Sequence, residues 1–417
     1  MDSLTRRRFL LASAGAGGAA ALAAGGLGLA ELLATAGDPG SGADDGLDKL
    51  VLVTLYGGND GLNTVVPYAD AAYHSARPEL AYPPERVLRL DDALGLNPVL
   101  TGLKRLWDDR RLAVVLGVGY PRPDRSHFRS MDIWQTGSPK LPLPTGWVGR
   151  WLDGTDASAE AAVSFEPVLP PLLVGETRVG ACVAVGGLDL PGGIDAEMVA
   201  ALGRPQDGES ALQARAAQAH QEFLQVNRLV HQAERGAPSA TGEPPPLPST
   251  ATGGGSALAA QLALVGRCVE AGVPTRVYSV SLGGFDTHAN ERVGQEWLLK
   301  QLDEALAAFL DRMARTPAGR RVTVAVYSEF GRRVRANASD GTDHGTAGPL
   351  LVLGPGVAGG LYGEQPSLVD LDDGDLRATV DFRDVFGTLL DSVLKADPAR
   401  YLNGYQPRSL PLLRGGR

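Results

Sequence analysis

The stretch KLVLVTLYGG (residues 49–58) runs Leu50-Val51-Leu52-Val53 with no polar residue between them and breaks at Gly57-Gly58. A strand with one wet face alternates apolar and polar residues, whereas a strand covered on both faces reads as a continuous apolar run. The same reading applies to RLAVVLGVG (111–119), TRVYSVSLGG (275–284), RVTVAVYSE (321–329) and PLLVLGPG (349–356), each bounded by turn residues. Helical patterns lie between them. In the clearest, from about Arg292 to Met313, Trp297, Leu298, Leu302, Leu306, Phe309, Leu310 and Met313 recur at helical spacing. Others are NPVLTGLKRLWDDR (97–110) and FRDVFGTLLDSVL (382–394). Strands alternating with helices predict an α/β fold built on a doubly wound, mostly parallel sheet.

Working outward, residues 1–36 read as a leader. Arg6 and Arg7 precede Phe9 and Leu10, an uncharged Ala/Gly/Leu run follows to Ala30, and Ala34-Thr35-Ala36 offers a small-residue cleavage pattern. This is the twin-arginine export pattern, so the expectation is a signal peptide removed after about Ala36, with no stable membrane span after processing. Residues 37–417 then form one domain, exported to the periplasm, the cell surface or the medium. The segment RGAPSATGEPPPLPSTATGGGS (235–256) has no periodicity and reads as an exposed Pro/Gly/Ser/Thr-rich excursion between two helical stretches, 211–234 and 257–272.

The formal charge of the whole chain is −9, and loss of the leader makes it one unit more acidic. That balance argues against nucleic acid as a partner. Cys182 and Cys268 lie in apolar contexts, form no metal motif, and have a spacing that leaves their pairing open.

Polar residues gather at the ends of the strand runs. Asp60 follows the first, Ser126 and His127 the second, Asp286 and His288 the third, and Glu329 the fourth. The carboxyl ends of parallel strands line one edge of a sheet, where ligands bind. In FDTH (285–288) two side chains two residues apart point the same way and can grip one ion; the alternative is an Asp capping the helix that begins near Arg292. Glu329 is a candidate ligand or a partner of Arg332 or Arg333. Asp343 and His344 precede the fifth run and offer a further carboxylate and imidazole. Ser126 is either a helix N-cap or a nucleophile at the positive end of a helix. Arg125, His127 and Arg332 suggest an anionic ligand.

Taken in order, GGNDGLNTVVPY, RSHFRSMDIWQTG, GGFDTH, SEFGRRVRAN and DHGTAGPLLVLG resemble the bacterial family of domain of unknown function 1501, similar in fold to alkaline phosphatases and sulfatases. The resemblance covers nearly the whole mature chain. It implies one or two divalent ions (zinc, manganese or calcium) held by Asp60, Asp286, His288, Glu329, Asp343 and His344, with Ser126 in the nucleophile's place. The function implied is metal-dependent hydrolysis of an anionic phosphate or sulfate ester. The alternative is a non-catalytic exported protein that uses the scaffold to bind a surface polymer or a secreted protein partner.

Overall fold

The computed structural model describes residues 46–155, 159–166, 168–183 and 258–415. The leader, the 211–234 stretch with His220 and His231, and the excursion at 235–256 lie outside the described residues. The twelve strands among the described residues are β1 (Lys49–Leu55), β2 (Val65–Val66), β3 (Leu88–Arg89), β4 (Gly95–Leu96), β5 (Leu112–Gly119), β6 (Ala162–Ser164), β7 (Ala181–Cys182), β8 (Val277–Leu282), β9 (Val322–Ser328), β10 (Gly348–Leu353), β11 (Gly360–Tyr362) and β12 (Val380–Asp381). The helices that pack on the main sheet are α1 (Thr101–Asp108), α2 (His127–Thr136), α3 (Leu258–Glu270), α4 (Glu291–Met313) and α5 (Phe382–Ser392).

Nine strands form one sheet in the order β11-β5-β10-β9-β1-β8-β6-β7, with β12 also pairing β5. All its pairings are parallel except those of β10, which runs against both β5 and β9. The expected α/β class with a mostly parallel sheet is therefore what the chain adopts. The apolar run at the centre has the expected cause. Val51, Val53 and Leu55 of β1 pack into one core with α1, α3 and α4, while Leu50 and Leu52 pack into a second core with α2 and α5. Burying one such Leu or Val contributes about 1.5–3 kcal/mol. A polar residue at any of these positions would lose that contribution and leave an unpaired group inside.

The lone antiparallel strand explains how a loop that precedes a strand joins loops that follow strands. Because β10 runs in reverse, its starting end lies at the same edge as the finishing ends of β1, β5, β8 and β9. The turn carrying Asp343 and His344 is thereby delivered to the carboxyl edge. Cys182 and Cys268 are both free thiols. No helix among the described residues is long and apolar enough to cross a membrane.

Candidate metal centre

At that edge the Asp286 carboxylate is the focus of three imidazoles. His288 Nε2 lies 3.0 Å and His344 Nε2 3.1 Å from Asp286 Oδ1, and the two nitrogens are 3.0 Å from each other. His127 Nε2 stands 3.5 Å from Asp286 Oδ2 and, although buried, has no hydrogen-bond partner. Asp286 does not cap α4: the N-cap position is held by Asn290, in the left-handed region. His127, His344 and Asp286 bring their ligand atoms within 4.8 Å of one another.

The backbone around Asp286 is held by Arg332, whose side chain is fully buried. Its Nε donates to Gly58 O at 2.6 Å and its Nη1 to Thr342 O at 2.9 Å; Nη2 lies 2.5 Å from Gly57 O, 2.9 Å from Phe285 O and 2.7 Å from Asp286 Oδ1. The β1 and β8 loops are thereby clamped together. Gly57 permits the contact, since it has φ +116° and an added Cβ would sit 2.5 Å from Asp286 N. Gly284 also has positive φ (+102°), but a Cβ there would find ordinary space; it serves the turn and not a close approach.

Two of the three imidazoles are oriented from behind by hydrogen bonds. His344 Nδ1 is 2.8 Å from the Arg125 carbonyl and His127 Nδ1 is 2.8 Å from Glu329 Oε1. These partners only accept, so the Nδ1 atoms donate and the neutral rings present an Nε2 lone pair to Asp286. His288 Nδ1 lies 3.4 Å from Asp343 Oδ1. Imidazoles fixed through one nitrogen with the other directed at a common point are the usual arrangement of metal-ligating histidines. In a tetrahedral zinc site with bonds of about 2.0–2.1 Å, donor atoms sit roughly 3.3–3.4 Å apart, close to the spacings here. The residues therefore fit a divalent ion. Without an ion, burial opposes the His127 proton, but the carboxylates of Asp286 and Glu329 outweigh burial and push its pKa up to about 9. Burial likewise works to raise Asp286, and is outweighed by His127, His344 and Arg332, which hold it far below the ordinary carboxylate range.

Other residues expected to bind here are placed differently. Asp60 is fully buried and committed: Oδ1 accepts from Leu62 N at 3.3 Å and Oδ2 pairs with the buried Arg77. It caps a turn and neutralises a guanidinium. Glu329 is behind the cluster, where Oε1 accepts from Gly57 N and His127 Nδ1, each at 2.8 Å, and Oε2 is 3.0 Å from the Ser328 hydroxyl. Asp343, largely exposed, stands behind His288. Arg332 cannot clamp a substrate, since its guanidinium is spent on five internal acceptors. Arg125 is paired with Asp375 and, at 3.1 Å, Asp373. His127, expected to touch an anion, faces Asp286. Ser126 does occupy the N-cap position of α2, but its side chain makes no capping bond, and Asp124 Oδ1 accepts from Ser126 N at 2.8 Å instead. Its hydroxyl is exposed, one residue from His127 and from the carbonyl that holds His344.

Sequence reading missed Arg77 and Glu291. Arg77 follows a short helix far from any strand end, and Glu291 looks like an ordinary first-turn acid; nothing local marks either as buried. A cavity of about 900 Å³ borders the site, lined among others by Tyr120, Pro123, Arg125, Phe330 and Asp375. Phe330 belongs to both, for its ring centroid is 4.9 Å from those of His127 and His344. His127, Asp286, His288 and His344 do not line the cavity.

A sequence profile described as "Protein of unknown function (DUF1501)" matches residues 48–417, and the chain belongs to that family. No curated protein matches it. Among solved structures, a protein in the alkaline phosphatase superfamily from Vibrio parahaemolyticus is similar with a TM-score of 0.36 and 12% identity, over 94% of this chain and 75% of that one. A phosphonate monoester hydrolase from Silicibacter pomeroyi gives 0.34 and 10%, over 87% and 78%. A 2-O GAG sulfatase gives 0.31 and 10%, over 75% and 65%.

Proposed function

We propose that this member of the DUF1501 family is an exported, metal-dependent hydrolase of phosphate or sulfate esters, with Ser126 as nucleophile. The observation that carries the reading is the convergence of His127, His288 and His344 on Asp286, one residue from a serine whose hydroxyl is uncommitted. Export rests on the twin-arginine pattern of residues 1–36.

The chain's own residues have separable tasks. Ser126 sits where the positive end of the ten-residue helix α2 favours an attacking oxygen and an anionic group. Its oxygen would bond to phosphorus or sulfur as the ester bond breaks, and the leaving alcohol departs with a proton. Water then cleaves the seryl ester and restores the hydroxyl. Arg332 holds Asp286, and Glu329 and the Arg125 carbonyl hold the imidazoles of His127 and His344. A bound divalent ion would supply charge to polarise the ester and stabilise the developing anion.

The test is a screen of aryl and alkyl phosphates and sulfates with metal-reconstituted mature protein. Turnover that disappears on chelation and in Ser126→Ala is expected; metal-saturated protein that cleaves none of them would contradict the reading. A second reading, a non-catalytic binding protein, is favoured by one observation: the guanidinium groups of Arg125 and Arg332 are both consumed by internal acceptors.

A further inference from the structure

We infer that the edge cluster binds one ion, not two, through His127, His288, His344 and Asp286, and that the ion is a nitrogen-preferring transition metal, not calcium or magnesium. The inference deepens the proposed metal centre and rests on it; it stands whether or not an ester is the substrate.

Two independent observations lead to it. The first concerns His127. Its Nδ1 is spent on Glu329 Oε1 at 2.8 Å, while its Nε2 is buried, lacks a hydrogen-bond partner and lies on the Asp286 side of the ring. A buried polar atom left unpaired is unfavourable, and a ligand at that point would satisfy it. His344 and Asp286 bring their ligand atoms within 4.8 Å of it and of each other, and His288 Nε2, 3.0 Å from both His344 Nε2 and Asp286 Oδ1, stands beside them.

The second concerns the carboxylates a second ion would need. The oxygens of Asp60 are occupied by Arg77 and Leu62 N, and those of Glu329 by Gly57 N, His127 and the neighbourhood of Ser328. Freeing Asp60 would strand the Arg77 guanidinium in a fully buried position. Freeing Glu329 would release the ring of His127 and dismantle the first site to build the second. Among the described residues, the group of three side chains able to hold a metal is His127, Asp286 and His344. Calcium takes six to eight oxygen ligands and magnesium demands an oxygen octahedron. Three imidazoles suit zinc, iron, cobalt, nickel or copper instead. The calcium option open at the level of sequence is thereby closed.

Cobalt(II) added to the chelator-stripped mature chain tests this directly, because its visible absorption reports both stoichiometry and ligand set. The expected result is saturation at one equivalent per chain, with the intense band of a four-coordinate nitrogen-rich site that millimolar calcium does not displace. His127→Ala should weaken the band and shift it. Glu329→Gln should bind cobalt about 10–100-fold more weakly while still saturating at one equivalent, because it orients a ligand without being one. Saturation at two equivalents, or a fall from two to one in Glu329→Gln, would overturn the inference. Absence of binding would overturn it together with the metal-dependent reading. One equivalent bound without any ester turnover would sustain it and remove only the hydrolase.

Discussion

The Nε2 atoms of His288 and His344 stand 3.0 Å apart, each within 3.1 Å of the same oxygen of Asp286. His344 Nε2 and Asp286 Oδ1 both present lone pairs, so a donor must stand between them, either a proton carried on His288 Nε2 or a metal ion.

Ser126→Ala should abolish ester turnover, by about 10³-fold or more as expected for loss of a covalent nucleophile. Since the hydroxyl makes no capping bond, stability should move by less than about 0.5 kcal/mol, and bound metal should be unchanged. Full turnover in the variant would remove Ser126 from the mechanism.

Arg77→Met should destabilise the fold by about 3–5 kcal/mol, the cost of stranding one partner of a buried ion pair. Asp60→Asn should also lower Tm, yet both folded variants should retain the wild-type metal content. Metal loss in Asp60→Asn at unchanged Tm would restore Asp60 to the ligand set.

Glu291, buried beside Asp60, has its pKa pushed up to about 9, first by burial and then by the Asp60 charge. Below the unfolded value of about 4.3, both states hold the proton and nothing depends on pH. Between there and about 9 the unfolded carboxyl ionises while the folded one keeps its proton, so stability falls as pH rises. Glu291→Gln, which keeps an acceptor for Thr342, removes that slope. Its Tm should therefore gain on wild type from pH 5 to pH 9. Parallel Tm curves across that range would refute the buried neutral carboxyl.

Gly57→Ala should be among the most damaging small substitutions. The new Cβ would meet the Phe285–Asp286 backbone at 2.5–2.9 Å in a left-handed conformation, with strain of roughly 1–3 kcal/mol. Since the contact is with Asp286 itself, metal affinity should drop alongside Tm; wild-type affinity would show that the loop yields freely.

Much of the architecture was legible because it rests on patterns with a direct physical cause. β1, β5, β8 and β9 were visible as runs buried on both faces, and α4 from its 3.6-residue period. Of the residues that meet at this edge, Asp286 and His288 were marked in the sequence by following a strand run, and His344 by its Asp-His pair ahead of the next run. Ranking within the acids was not legible, because a carboxylate's role depends on which distant donor reaches it. Asp60 meets Arg77 and Glu329 meets His127 only after folding, and neither spacing announces the meeting. The reversal of β10 was equally hidden, for an apolar run reads the same in either direction.

The central claim, that this edge is a metal centre, is tested most directly by elemental mass spectrometry of the mature protein, purified without chelator or affinity metal, beside His344→Ala. Stoichiometric transition metal in the wild type and its loss in the folded variant are the expected result. Absence of metal from the wild type even after soaking, or equal metal in both proteins, would contradict the claim.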